Sequence, residues 1–140
     1  MSGINIGRVV VGGLVAGLVM NVGEYILNEP LLGAELTAAL EARNLPAVGG
    51  GAIGVFVTMT FAFGILLVWL YAAVRPRLGP GPKTAVTIGV VVWFLAYFGP
   101  TVAMNVMGML PGRLAMIGAV WGLVEVPLAA LAGAWMYHEA

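Results

Sequence analysis

The chain has 140 residues, 61% of them hydrophobic and only 9% charged, with a mean hydropathy of +1.04, whereas soluble domains carry about 45–50% apolar and about 25% charged residues. That excludes a water-soluble globule, and at about 20 apolar residues per crossing the length holds four membrane helices and one connector, with no separate soluble domain. Six Lys+Arg balance six acidic residues, all of them Glu, and with no Cys and a single His138 the chain has no basic excess for nucleic acid, no thiolate or multi-His metal site, no disulfide and no bis-His haem.

The first apolar segment, residues 4–28, holds Arg8 near its start and Glu24 near its end. It lacks a charged region before its apolar core and a small-residue cleavage site, so it reads as a retained helix rather than a signal peptide. Gly13, Gly17, Asn21, Glu24 and Asn28 follow one another by three or four residues and share one stripe, small in one half and polar in the other. Small residues let helices approach closely in lipid, where packing rather than hydrophobic exclusion drives association.

The connector that follows reads Ala34-Glu-Leu-Thr-Ala-Ala-Leu-Glu-Ala-Arg43, with Leu32, Leu36, Ala39 and Leu40 at helical spacing. This pattern predicts a short amphipathic helix over 33–44, lying on the membrane surface as a cover or a gate. Residues 50–75 form the second membrane helix, uncharged between Arg43 and Arg75. The basic turn Arg75-Pro-Arg-Leu-Gly-Pro-Gly-Pro-Lys83 stops it. Residues 84–108 form the third helix, in which Gly99-Pro100 predicts a kink. The fourth runs over 112–137 and carries Gly118, Gly122, Glu125 and Gly133 on another close-packing face.

The expected fold is therefore all-α, a single transmembrane domain over 1–140 built as an antiparallel four-helix bundle. Its first and fourth helices are expected to pack through their glycine stripes. Four crossings put both termini on one side. Arg8, Arg75, Arg77 and Lys83 against Arg43 and Arg113 make that side cytoplasmic, with Trp69 and Tyr71 near the inner boundary.

Two acidic residues lie within apolar helices. Glu125 follows Arg113 by 12 residues, roughly 18 Å into a slab of about 30 Å. Glu24 follows Arg8 by 16, roughly 24 Å from the opposite boundary. The counting separates the two carboxyls and groups Asn21, Glu24 and Asn28 with Asn105 or Arg113 near the outer face. A carboxyl at mid-bilayer costs about 2.5–3.5 kcal/mol on insertion scales, so Glu125, with Trp121 one turn before it, is either a proton or cation site or a group that hydrogen-bonds across helices.

Catalytic sets are missing, since no His stands beside Thr58, Thr60 or Thr101 and there is no Asp pair. Met104, Met107, Met109 and Met116 are read as packing residues rather than a copper site. Size and helix count resemble those of the small multidrug transporters, whose first helix bears an essential Glu and whose glycine-bearing fourth helix dimerises; Glu24 and Gly118-x-x-x-Gly122 correspond, while the long connector and second Glu depart. Asn21-Val-Gly-Glu24 looks like the Asn-x-x-Glu of membrane glutathione and eicosanoid enzymes, without their preceding basic residues. Val92-Trp93-Phe-Leu-Ala-Tyr97 and Val120-Trp-Gly-Leu-Val-Glu-Val126 resemble small uncharacterised bacterial four-helix membrane proteins, which implies a bacterial inner membrane.

The first functional expectation is a non-enzymatic membrane protein, without cofactor or metal, acting through helix packing as a homo-oligomer or accessory subunit. The alternative is a small proton-coupled transporter, dimeric, using Glu125 and Glu24. A third is binding of a lipid or quinone beneath the connector.

Overall fold

Asn5 starts the first helix by accepting a hydrogen bond from the Arg8 backbone N–H at 3.2 Å, as an N-cap residue does. In the computed structural model, which describes residues 3–139, α1 runs over Ile6–Ile26 and passes into a π-turn, Leu27–Leu31. A short helix α2, Gly33–Glu41, follows, then α3, Gly50–Leu78, and α4, Pro82–Trp93. A second π-turn, Phe94–Phe98, joins α4 to α5, Gly99–Val106, and α6 covers Gly112–Met136. Four stretches are long and apolar enough to cross a membrane: Ile6–Leu31, Gly50–Leu78, Pro82–Val106 and Gly112–Met136, here spans 1 to 4. The expected four-helix bundle is present, with the connector helix ending at Glu41.

Both π-turns sit at prolines. Pro30 lies inside the first, and Pro100 is the second residue of α5, just after the other. A proline lacks the N–H of the α ladder and its ring crowds the carbonyl four residues earlier. Widening the preceding turn relieves that crowding without ending the span. The kink expected at Gly99-Pro100 takes this form, and at Pro30 the same device carries span 1 three residues beyond the expected end at Asn28.

Span 1 packs between spans 2 and 4, and span 4 lies between spans 1 and 3. Glycines set these contacts, in a different pairing from the expected one. Gly13 and Gly17 face span 2, where added Cβ atoms would strike Ile65 and Phe61. Gly64 answers from the opposite helix, its own Cβ position blocked by Gly13 and lying 2.6 Å from the Gly17 nitrogen. The contact of spans 1 and 4 belongs to Gly12 and Gly133, with Gly12's Cβ position 2.6 Å from the Gly133 carbonyl. Gly122 receives Trp93 and Tyr97 of span 3, while Gly118 faces open space. The stripes of the first and fourth helices thus serve three interfaces, because a helix in the middle of a bundle needs small residues on every side that meets a neighbour.

The core concentrates at the end that carries both termini, where Val9, Val68, Tyr71, Ala85, Val126 and Tyr137 are buried. Two tyrosines tie the loops there. The Tyr137 hydroxyl accepts from the Asn5 N–H at 3.3 Å, the Tyr71 hydroxyl from the Gly81 N–H at 3.0 Å, and the rings meet edge to face at 6.2 Å. Arg75 stands 5.5 Å over the Tyr137 ring and pairs with Glu139 at 3.4 Å. Tyr71 is therefore a core residue, whereas Trp69 is exposed.

At the opposite end the helices part. Residues 49–59 at the start of span 2 are all exposed. A smaller cluster of Leu27, Leu32 and Leu114 holds the connector against span 4. Two polar links pin it: Arg113 bonds both Glu35 oxygens at 3.0 and 3.2 Å, and Arg43 Nε donates to the Gly108 carbonyl at 3.1 Å.

Candidate functional site

Antiparallel packing of spans 1 and 4 fixes a register. Gly12 meets Gly133, Gly23 meets Glu125 and Glu35 meets Arg113, so Glu24 stands level with Val124 and Glu125. The two carboxyls, separated by counting from Arg8 and Arg113, are neighbours: Glu24 and the Trp121 indole are the polar groups that reach Glu125. The count fails because Arg8 and Arg113, at opposite ends of the bundle, stand farther apart than the assumed slab of about 30 Å: Arg113 is level with Glu35, 27 residues after Arg8, roughly 40 Å of helix rise.

Glu125 is 5% exposed, and its two carboxyl oxygens are buried beside Glu24 and the Trp121 indole rather than a cation. The Trp121 indole nitrogen is likewise buried. Gly23 makes the carboxyl's position possible, since Glu125 Oε1 occupies the space a Cβ there would take. Glu24 is half-buried and better supplied. The Asn28 side-chain amide donates to its carboxyl and to its backbone carbonyl, both at 2.9 Å. Tyr97, from the π-turn of span 3, lies within electrostatic reach of both acids and packs edge to face on Phe63 at 5.9 Å.

The carboxyl pair separates two spaces. On the Glu24 side, beneath the connector, a cavity of about 200 Å³ is lined by Glu24, Asn28, Leu36, Tyr97, Thr101 and Leu114 among others. On the Glu125 side a groove of about 620 Å³ runs between spans 1 and 4, walled by Val19, Met116, Val120, Trp121, Val124 and Leu128 with Gly23 and Ile117. No Lys or Arg lines either space.

Of the expected site residues, Glu125, Glu24, Asn28 and Trp121 converge here. Asn21 faces the other way and donates to the Val57 carbonyl at 3.5 Å. Asn105 closes its own turn on the Leu110 carbonyl at 2.9 Å. Arg113 is taken by Glu35, so neither it nor Asn105 joins Glu24. Thr58 and Thr60 bond carbonyls of their own helix rather than bridging helices, as hydroxyls in apolar helices do. Gly23 and Tyr97 were not singled out by sequence. Their signals were present, in a glycine directly before an intramembrane acid and a lone phenol one turn before a proline.

Comparison with family profiles, with curated proteins and with solved structures finds no match for this chain.

Proposed function

We propose that this chain is a small, non-enzymatic proton-coupled carrier whose exchange site is the Glu24–Glu125 pair. The observation that carries the reading is Glu125 itself, a deeply buried carboxyl facing a second acid from the neighbouring span, with no cationic side chain lining the space beside it. A carboxyl retained only to link helices is better served by an amide or a cation than by a second acid, because like charges brought together in apolar surroundings repel. A carboxyl retained to load and release a proton or cation is the functional alternative for an acid inside a membrane helix. The cavity beneath the connector supplies a polar approach through Asn28 and Glu24, and the connector is the element that covers it.

The test uses proteoliposomes loaded with a pH-sensitive dye and challenged with a panel of cationic, neutral and anionic solutes under an imposed pH gradient. At least one class should dissipate the gradient, at least tenfold more slowly with Glu125→Gln. Equal rates for the wild type and Glu125→Gln would remove Glu125 from the mechanism.

A second reading, assembly as a homo-oligomer or accessory subunit, is favoured by one feature. Gly50, Gly51 and Gly54 lie on exposed helix, with Gly49 just before its start, and all four have open space at their Cβ positions, a surface suited to close helix approach. Native mass spectrometry of protein extracted gently from its own membrane would report a partner subunit or a second copy. Cytoplasmic termini remain the orientation proposed from the four-to-two Lys/Arg bias, and a bacterial inner membrane rests on resemblance alone.

A further inference from the structure

The cavity beneath the connector has a volume of about 200 Å³, below the range of about 300–1,000 Å³ typical of small-molecule sites. It is small for a quinone or a lipid tail, yet has room for several waters at about 30 Å³ each. Its lining is divided. Glu24 and Asn28 of span 1 and Tyr97 and Thr101 of span 3 supply polar groups, and leucines such as Leu36 and Leu110 supply an apolar cover. In each polar pair the second residue follows the first by four, about 6 Å along the helix axis. Both pairs climb the same way, because span 1 runs into the connector and span 3 ends just before Gly108, whose carbonyl Arg43 bonds. Two polar ladders therefore rise from the acids toward the connector, over one cavity.

Thr101 differs from the other five threonines of the chain. Thr37, Thr58, Thr60 and Thr87 each donate to the carbonyl four residues earlier at 2.8–2.9 Å, and Thr84 donates to the Gly79 carbonyl at 2.7 Å. Thr101 follows the second π-turn, where the carbonyl four residues back belongs to Tyr97. Among the described residues neither the Thr101 hydroxyl nor the Tyr97 phenol has a hydrogen-bond partner. Both residues line the cavity, and neither oxygen is sealed in the protein interior. Gly118 adds a separate observation. Expected to pack against a helix, it has nothing within 4 Å of its Cβ position and forms part of the cavity wall instead, so a large side chain there would occupy the cavity.

We propose that this cavity holds a chain of water, anchored at the Tyr97 and Thr101 hydroxyls, that joins Glu24 to the aqueous phase on the connector side. A cavity with several polar partners takes in water, whereas one lined only by apolar groups stays dry. Water and hydroxyl groups both donate and accept. A proton entering at the connector thus passes inward as each oxygen forms one O–H bond and breaks another, until the last proton moves onto the Glu24 carboxyl. Occupancy by water stands on the cavity alone, while proton traffic through it rests on the reading of the Glu24–Glu125 pair as an exchange site.

Water-edited solid-state NMR of the protein in phosphatidylcholine bilayers, with isotope-labelled threonine methyls, tests occupancy. Thr87 is a matched control: it stands five residues in from Pro82 and Thr101 five in from Val106, the two ends of span 3, but Thr87 is exposed on the outside of the bundle. The Thr101 methyl, identified by its loss in Thr101→Val, should receive magnetisation from water at least threefold faster than that of Thr87. Gly118→Leu, which fills the cavity, should remove the difference. Equal transfer to the two methyls, transfer to Thr101 from lipid chains in place of water, or a difference that survives Gly118→Leu would overturn the assignment. Infrared spectra after transfer to heavy water read the proton path. The carboxylic-acid band of the acid pair should move to its deuterated position at least fivefold more slowly in Thr101→Val and Gly118→Leu, and Thr101→Ser, which keeps the hydroxyl, should restore the rate. A wild-type band that exchanges equally fast in every variant would keep the acid pair and overturn the path. Fast water transfer to Thr101 with no such band in the wild type would uphold the water and remove the exchange reading.

Discussion

Glu125 shows how a single residue takes its properties from what packs against it. Its place in an apolar helix marked it as costly from the sequence, but its state depends on Gly23, whose missing side chain makes room for the carboxyl. Gly23→Ala should therefore displace Glu125 and shift its carboxyl infrared band, whereas Gly118→Ala, with nothing near its Cβ, should leave that band unchanged. The same logic ranks the glycines for stability. Gly64→Ala drives a methyl into the backbone of Gly13 and Gly17, which cannot yield as a side-chain tip does, and overpacking of this kind costs about 1–3 kcal/mol. Thermal unfolding in detergent should show a clear drop in Tm for Gly64→Ala and none for Gly118→Ala. Sequence spacing would rank them the other way, since Gly118 stands four residues before Gly122 and no glycine lies four residues from Gly64; what an added Cβ would meet decides the order.

The elements were legible where hydrophobicity alone decides them. Four apolar stretches bounded by charges or prolines become four spans, and the leucine spacing at 32–40 becomes the connector helix. The π-turns were not legible as such. Pro100 signalled a disturbance, but whether a proline ends, bends or widens a helix depends on what holds the chain on either side. At Pro30 the buried Leu27 and Leu32 keep the backbone on course.

The connector also carries a pH dependence of its own. The hydrogen bond from Arg113 holds the Glu35 carboxyl below the usual carboxylate range, so the docked connector favours the ionised form. That contribution is present in full above the usual carboxylate range and fades as the pH falls through the lowered value. Because both partners are exposed, salt should screen it as well. A spin label at Ala38→Cys, in a chain with no other cysteine, should gain mobility under acid or high salt, and Arg113→Gln should show that mobility already at neutral pH. An unchanged spectrum across these conditions would assign docking to Leu32 and its neighbours alone.

At the scale of the whole molecule, the bundle is closed at the end with the termini and open at the other. The tyrosine and arginine contacts and the larger core bind all four spans at the closed end, while at the open end span 2 stands away and only the connector bridges. Movement that exposes the acid pair is thus expected at the connector end. Four crossings also make a topological prediction. Cysteines placed singly at Arg77 and His138 should react with an impermeant maleimide from one side of a sealed vesicle, and one at Glu41 from the other. Labelling of all three from the same side would refute four crossings.

The amino-acid sequence by itself determined four apolar helices long enough to cross a membrane, a short connector helix and two acids within the apolar helices, because span length and polarity are local properties read one segment at a time. Which glycine meets which helix, that Glu24 and Glu125 are neighbours, and that a cavity lies on the Glu24 side and an apolar groove on the Glu125 side were decided only by tertiary structure. These depend on the axial register of spans 1 and 4. Register is set by the sum of contacts along both helices, among them Gly12 with Gly133, Gly23 with Glu125 and Glu35 with Arg113, and no single segment contains that sum.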